Sequence, residues 1–127
     1  MTQFIRGMVA LLGIISLGVS PIGLAQASYP QKPIRLIVPF PPGGSTDIFS
    51  RMLGEKLTQI WKQPVIIENK AGASGQIAMN ELLKMPTDGH TIFMGHIGTL
   101  AVNAALFKNL SYDPVKDLAP ISRIALV

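Results

Sequence analysis

The 127-residue chain contains no cysteine, which excludes disulfide frameworks, thiolate metal sites and a cysteine nucleophile while leaving the compartment open. Charge is scarce: 14% of residues are Asp, Glu, Lys or Arg, and 11 basic against 7 acidic residues give a formal +4. No basic block stands out, so nucleic acid is not expected as a partner. The phosphate-cradling GxxxxGK[ST] loop, the dinucleotide GxGxxG turn and the G-x-S-x-G nucleophile elbow are all missing. The two histidines, His90 and His96, flank one expected strand and could hardly share an ion, so neither a metal nor another cofactor is expected. What is abundant is hydrophobic residues, 48% of the chain. That excludes disorder and implies a single domain with a buried core.

The N-terminus reads as an export signal. Arg6 gives a positive start, and the apolar run Met8 to Val19 falls short of the about 20 helical residues a bilayer requires. Pro21 and Gly23 break the run, and Ala25-Gln26-Ala27 offers small-x-small cleavage chemistry after Ala27. Residues 1–27 are therefore expected to be a signal peptide and residues 28–127 the folded lobe; an N-terminal membrane anchor is the alternative. Removing Arg6 trims the positive balance further.

From there the pattern alternates between two periods. Ile34 to Phe40 is a β-branched apolar run closed by Pro41-Pro42-Gly43-Gly44, and from Ser45 the positions Ile48, Met52, Leu53, Leu57, Ile60 and Trp61 follow helical spacing up to Lys62. Ser45 or Thr46 is the expected N-cap, with Asp47 in the first turn. Pro64 to Glu68 reads as a second strand, Asn69 to Gly75 as a glycine-bearing loop, and Gln76 to Lys84 as a second helix stopped by Pro86 and Thr87-Asp88-Gly89. Thr91 to Met94 is a third strand, Gly95 to Gly98 a third loop, and Thr99 to Phe107 a third helix with Leu100, Ala104 and Phe107 on one face. After the Tyr112-Asp113-Pro114 turn, Leu118 to Val127 reads as a further strand. The order βαβαβαβ implies a parallel sheet with helices on both faces.

In such a sheet the strand-to-helix loops leave from one edge, where ligands bind. Loops Pro41 to Asp47, Asn69 to Gly75 and Gly95 to Thr99 should therefore converge, each delivering unpaired N–H groups at a helix start, and the edge should attract anions. Ser45, Asp47 and His96 are the one set resembling a catalytic triad, but all lie where helix caps are expected. Binding without chemistry is the simpler account.

The residues carry a family resemblance. Tyr29-Pro-x-Lys-Pro-Ile-Arg-Leu-Ile-Val-Pro-Phe-Pro-Pro-Gly-Gly-Ser-Thr-Asp47 resembles the opening of the Bug family (TctC-like), the periplasmic solute-binding proteins of tripartite tricarboxylate transporters. The match continues through Gln63-Pro-Val, Glu68-Asn69, Gly72-Ala-Ser-Gly75, Asp88-Gly89, Gly98-Thr99 with Asn103, and Tyr112-Asp-Pro-Val-Lys-Asp-Leu-Ala-Pro120. The resemblance implies the first of two α/β domains that close over a small carboxylate, whether a di- or tricarboxylate, an amino acid or an aromatic acid. It also implies a periplasmic, non-enzymatic receptor, monomeric at full length, that hands its solute to integral membrane transporter subunits.

Carried over by position, the resemblance sets Pro42, Gly43, Gly44, Thr46 and Asp47 at the solute carboxylate. Gly72, Ala73, Ser74 and Gly75 form a second wall, and Gly98, Thr99 and Asn103 a third. Lys70-Ala71 replaces a frequent Arg-Pro, Ser74 a frequent glycine, and His90 a frequent aromatic. Plainer roles stand beside these. Gly43 and Gly44 can serve the turn alone, Thr46 can be a cap, Asp47 a helix-start charge, and Lys70 a solvated rim residue or a partner for a second carboxylate. Asn103 can bond a loop carbonyl. Phe49, Met52 and Trp61 are expected in helix packing, and the Asn109-Leu110-Ser111 sequon has no meaning after a bacterial-type signal.

The second domain is not accounted for by residues 28–127, so a truncated receptor is expected, one that binds poorly alone because half a cleft leaves a solute in water. An unpaired apolar strand at Leu118 to Val127 would be an aggregation hazard. An inactive remnant and a small hydrolase-like enzyme on the same fold are the alternatives.

Overall fold

The computed structural model describes residues 29–125. The expected signal peptide, residues 1–27 with its cleavage point after Ala27, lies outside the described residues. Three strands, β1 (Ile34–Val38), β2 (Val65–Asn69) and β3 (Thr91–Phe93), form one parallel sheet in the order β2-β1-β3. Ile34 is in register with Val65, and Arg35 with Thr91. β1 is central because it is the most apolar: Ile34, Leu36, Ile37 and Val38 are all buried. Pro39 ends it two residues before the expected Phe40, since proline has no N–H to give the ladder.

Alternation along the strands sends Leu36, Val38, Val65 and Ile67 to one face. There they pack with Met94, Ile92 and Leu53 of helix α1 (Ser45–Trp61). A Cβ at Gly54 would lie 2.9 Å from Ile67 Cδ1, so this glycine lets α1 come close to β2. The opposite face carries Ile37, the Arg35–Glu68 pair at 2.6 and 2.7 Å, and helix α2 (Gln76–Leu82), which buries Ala78 and Met79. Helices therefore cover both faces, as the alternating pattern implies.

Several boundaries and faces differ from the sequence reading. The buried residues of α1 are Asp47, Ser50 and Gly54, whereas Ile48, Phe49, Met52 and Ile60 are exposed. Helical spacing was right, but close approach needs small groups beneath the helix, and Asp47 and Ser50 are tolerated there because both are hydrogen-bonded. Trp61 packs edge-on against Tyr29, with ring centroids 5.8 Å apart. The third helix is a π-helical turn, Gly98–Val102, followed by one α turn, α3 (Asn103–Leu106). Its buried residues are Thr99 and Asn103, not the Leu100, Ala104 and Phe107 stripe. The expected fourth strand is not formed over Leu118–Ala125, which is irregular and largely exposed; without a paired neighbour an apolar run has no ladder to join. Among the described residues no helix is long and apolar enough to cross a membrane.

Candidate functional site

Because the strands are parallel, the loops after β1, β2 and β3 leave the sheet at the same edge, and specific bonds tie them together there. Asn69, the last residue of β2, donates through Nδ2 to Asp47 Oδ1 (2.9 Å) and to the Phe40 carbonyl (3.1 Å). The Lys70 N–H donates to the Val38 carbonyl at 2.8 Å. Gly75 sits against both Pro39 and Thr99, so a Cβ there would collide with the Thr99 methyl and approach Pro39 Cβ to 3.1 Å. Asn103 Nδ2 donates to the Ser74 carbonyl at 2.8 Å, and the Phe40 and His96 rings meet edge to face at 4.9 Å. The three glycine-bearing loops therefore converge.

The first loop is held by charge. Asp47 is buried, and its Oδ2 accepts from Arg51 Nε at 2.9 Å and from the Gly43 N–H at 2.9 Å, while Oδ1 takes Asn69. Arg51 foremost, then the Gly43 amide and Asn69, holds the Asp47 carboxyl down to about 2. With both oxygens engaged, Asp47 shapes the loop rather than facing it. Gly43 takes φ +90°, a conformation glycine adopts at little cost. Gly44, not Ser45 or Thr46, is the N-cap of α1, and no side chain caps the first turn. The first amides of this 17-residue helix thus lack intrahelical acceptors at its positive end.

In front of that end lies a concavity of about 330 Å³ lined by Phe40, Pro41, Pro42, Gly44, Ser45, Thr46 and His96. It joins the first loop to the third. A larger hollow of about 440 Å³ lies on the flank of α1 against Val65 and Ile67, formed by helix and strand side chains away from the loops. The rim concavity is the one where strand ends, the helix start and a glycine turn meet.

The second loop runs through four successive positive-φ residues: Gly72 (126°), Ala73 (46°), Ser74 (54°) and Gly75 (86°). Ala73 and Ser74 pay the side-chain penalty of that region, about 1 kcal/mol each. The fold holds them there through the Gly75 N–H to Gly72 carbonyl bond, 2.9 Å, and the Asn103 bond to Ser74. Gly72, Ala73 and Ser74 are exposed and Gly75 is buried.

The third loop is fixed by Tyr112, whose buried hydroxyl donates to the Thr99 carbonyl at 2.6 Å and accepts from Asn103 at 3.0 Å. The Thr99 hydroxyl is likewise internal, donating to the His96 carbonyl at 2.9 Å. Of the residues singled out in the sequence, Pro42, Gly44 and Thr46 line the concavity and Gly43 adjoins it. Gly98, Thr99 and Asn103, expected as a third wall, and Gly72 to Gly75, expected as a second, are not among its lining residues. Asn103 does bond a loop carbonyl. Lys70 is not free: its Nζ pairs with Glu81 at 2.9 Å and lies 3.7 Å from Glu68. The set Ser45, Asp47 and His96 does not assemble a triad, because Asp47 is committed to Arg51 and Asn69 while His96 Nδ1 accepts from the Gly98 N–H. Phe40 and His96 as lining residues, and Arg51 and Tyr112 as fasteners, were not legible as such; only the Tyr112-Asp-Pro block drew notice to that turn.

Residues 49–127 match the family described as the tripartite tricarboxylate transporter family receptor. The chain belongs to this receptor family. Protein BugT of Bordetella pertussis is 38% identical over 122 residues, covering 92% of this chain and 37% of BugT. The chain thus spans little more than a third of the length of that relative. Among solved structures, MatC from Rhodopseudomonas palustris with bound malate superposes with a TM-score of 0.67 at 38% identity, over 70% of this chain and 30% of MatC. A second R. palustris protein, solved with adipate, gives 0.66 at 35% identity over 69% and 29%. The periplasmic binding protein BugD gives 0.65 at 35% identity over 70% and 29%. A receptor family is not an enzyme class.

Proposed function

We propose that this receptor-family protein binds a small carboxylate at the rim concavity, with the solute carboxylate at the Gly43–Thr46 loop. As a receptor it would deliver that solute to membrane subunits of a tripartite tricarboxylate transporter. The carrying observation is the uncapped start of α1, opening on a hollow built from the first and third loops. The hollow is of a size that suits a small organic acid. Pro42, Gly43, Gly44 and Thr46 make the contact side. Asp47, Gly75, Thr99 and Asn103 fix the loops, and Gly72, Ala73, Ser74 and Gly98 border them. The malate and adipate held by the two R. palustris relatives support a carboxylate. The location we infer is the periplasm, reached through residues 1–27 as a cleavable signal, and we infer no catalytic activity.

Thermal unfolding in malate or adipate tests this, with sodium chloride matched in ionic strength as the control. A ligand at ten times its Kd stabilises the folded state by about 1.4 kcal/mol, so a saturable rise in Tm beyond the salt control is expected. An equal response to the acids and to sodium chloride would count against the reading.

A further inference from the structure

We propose that His96 reads the second polar group of the solute, and that it does so as a neutral hydrogen-bond donor; this rests on the carboxylate reading above. The Gly98 N–H donates to His96 Nδ1 at 3.0 Å. A ring nitrogen that accepts carries no proton, so the network assigns the proton of the neutral imidazole to Nε2. The ring is held on two sides. Phe40 meets it edge to face at 75°, and its own backbone is pinned by the Thr99 hydroxyl, which accepts the His96 N–H at 3.2 Å and donates to its carbonyl.

Among the described residues no hydrogen bond engages Nε2, and His96 lines the same hollow as Gly44, Ser45 and Thr46. The site therefore presents two different polar walls, an anion-favouring helix start and a fixed single N–H donor on the third loop. A fixed donor accepts a second carboxylate, hydroxyl or keto oxygen, and it sets an ammonium donor against donor. The solute class assigned is an acid with a second oxygen acceptor, such as a dicarboxylate or hydroxy acid, in preference to an amino acid. His90 has no part in this, being at the other end of β3 and tied to Asp88.

The experiment compares malate with propionate, which lacks the second acceptor, by NMR titration of the unsubstituted protein and two variants. His96→Asn keeps an oxygen acceptor near the Nδ1 position but has no group reaching as far as Nε2; His96→Gln restores a distal donor. Malate is expected to weaken about tenfold in His96→Asn and to recover in part in His96→Gln, with propionate within about twofold throughout. A long-range ¹H–¹⁵N spectrum of the unsubstituted protein, which needs no variant, should show the Nε2–H tautomer. An unchanged malate-to-propionate preference in both variants, or an Nδ1–H tautomer, overturns the assignment of His96 alone. If neither acid perturbs the Gly43–Thr46 amides, the carboxylate reading itself falls, and His96 with it.

Discussion

Asn69 clasps both ends of the loop between β1 and α1, donating to Asp47 Oδ1 at one end and to the Phe40 carbonyl at the other. The bond matters because it couples the sheet to the first turn of α1. The loop between β1 and α1 is thereby positioned by a residue of the neighbouring strand β2. Asn69→Ala is expected to lower carboxylate affinity while leaving the far end of the sheet, around Tyr29 and Gly89, unperturbed. Amide chemical shifts in the two regions, compared in the same spectra, check this.

Acid should loosen the same clasp. The Asp47 carboxyl titrates at about 2 in the folded chain, below its ordinary 3.8, and Asp88 is held equally low, first by Lys32 and then by the His90 amide. Both depressed groups contribute stability that is complete above the unfolded value near 4 and is lost as pH falls through 2. Urea midpoints should therefore drop between about pH 4 and pH 2, and Asp47→Asn should flatten that fall.

Gly75→Ala is expected to destabilise the fold by about 2–4 kcal/mol, the sum of a left-handed backbone penalty and overpacking against Thr99 and Pro39. Gly44→Ala should cost less than about 1 kcal/mol, because φ is −78° and the nearest atom to an added Cβ is the Pro41 carbonyl oxygen at 3.9 Å. Chemical denaturation of the two variants side by side separates a packing glycine from one that only leaves room.

Tyr112→Phe removes a buried hydroxyl that serves the Thr99 carbonyl and Asn103 together. Leaving those groups unpaired is expected to cost about 1–3 kcal/mol. Faster hydrogen exchange should accompany it across Gly98–Leu106.

Lys70→Ala should leave malate affinity unchanged, since the ammonium is occupied by Glu81 and Glu68. A marked loss of affinity would return Lys70 to the role of second-carboxylate partner.

Strand-loop-helix order was legible because β-branched runs, glycine-proline punctuation and helical spacing are local signals, and they placed all three loops on one edge. Which side of α1 faces the sheet was not legible. Hydropathy favours Ile48 and Met52, but the sheet accepts Gly54 for its small size and Asp47 because Arg51, Gly43 and Asn69 satisfy it, and those partners are distant in sequence or invisible to periodicity. The Leu118 to Val127 run has strand composition, yet strand formation depends on a neighbour. In the site, prolines and glycines marked the segment between β1 and α1 as an exposed turn. His96 was visible only as a cap or a weak triad member, because its acceptor bond to Gly98 and its packing on Phe40 arise from the fold.

The most direct test is an amide-resolved NMR titration with malate, read for where the shifts occur. The account predicts saturable shifts centred on Gly43, Gly44, Ser45 and Thr46 and extending to His96, even if Kd is as weak as about 1 mM. Saturable shifts confined to the α1 flank around Thr58 and Val65, or no saturable shifts at all, would contradict it.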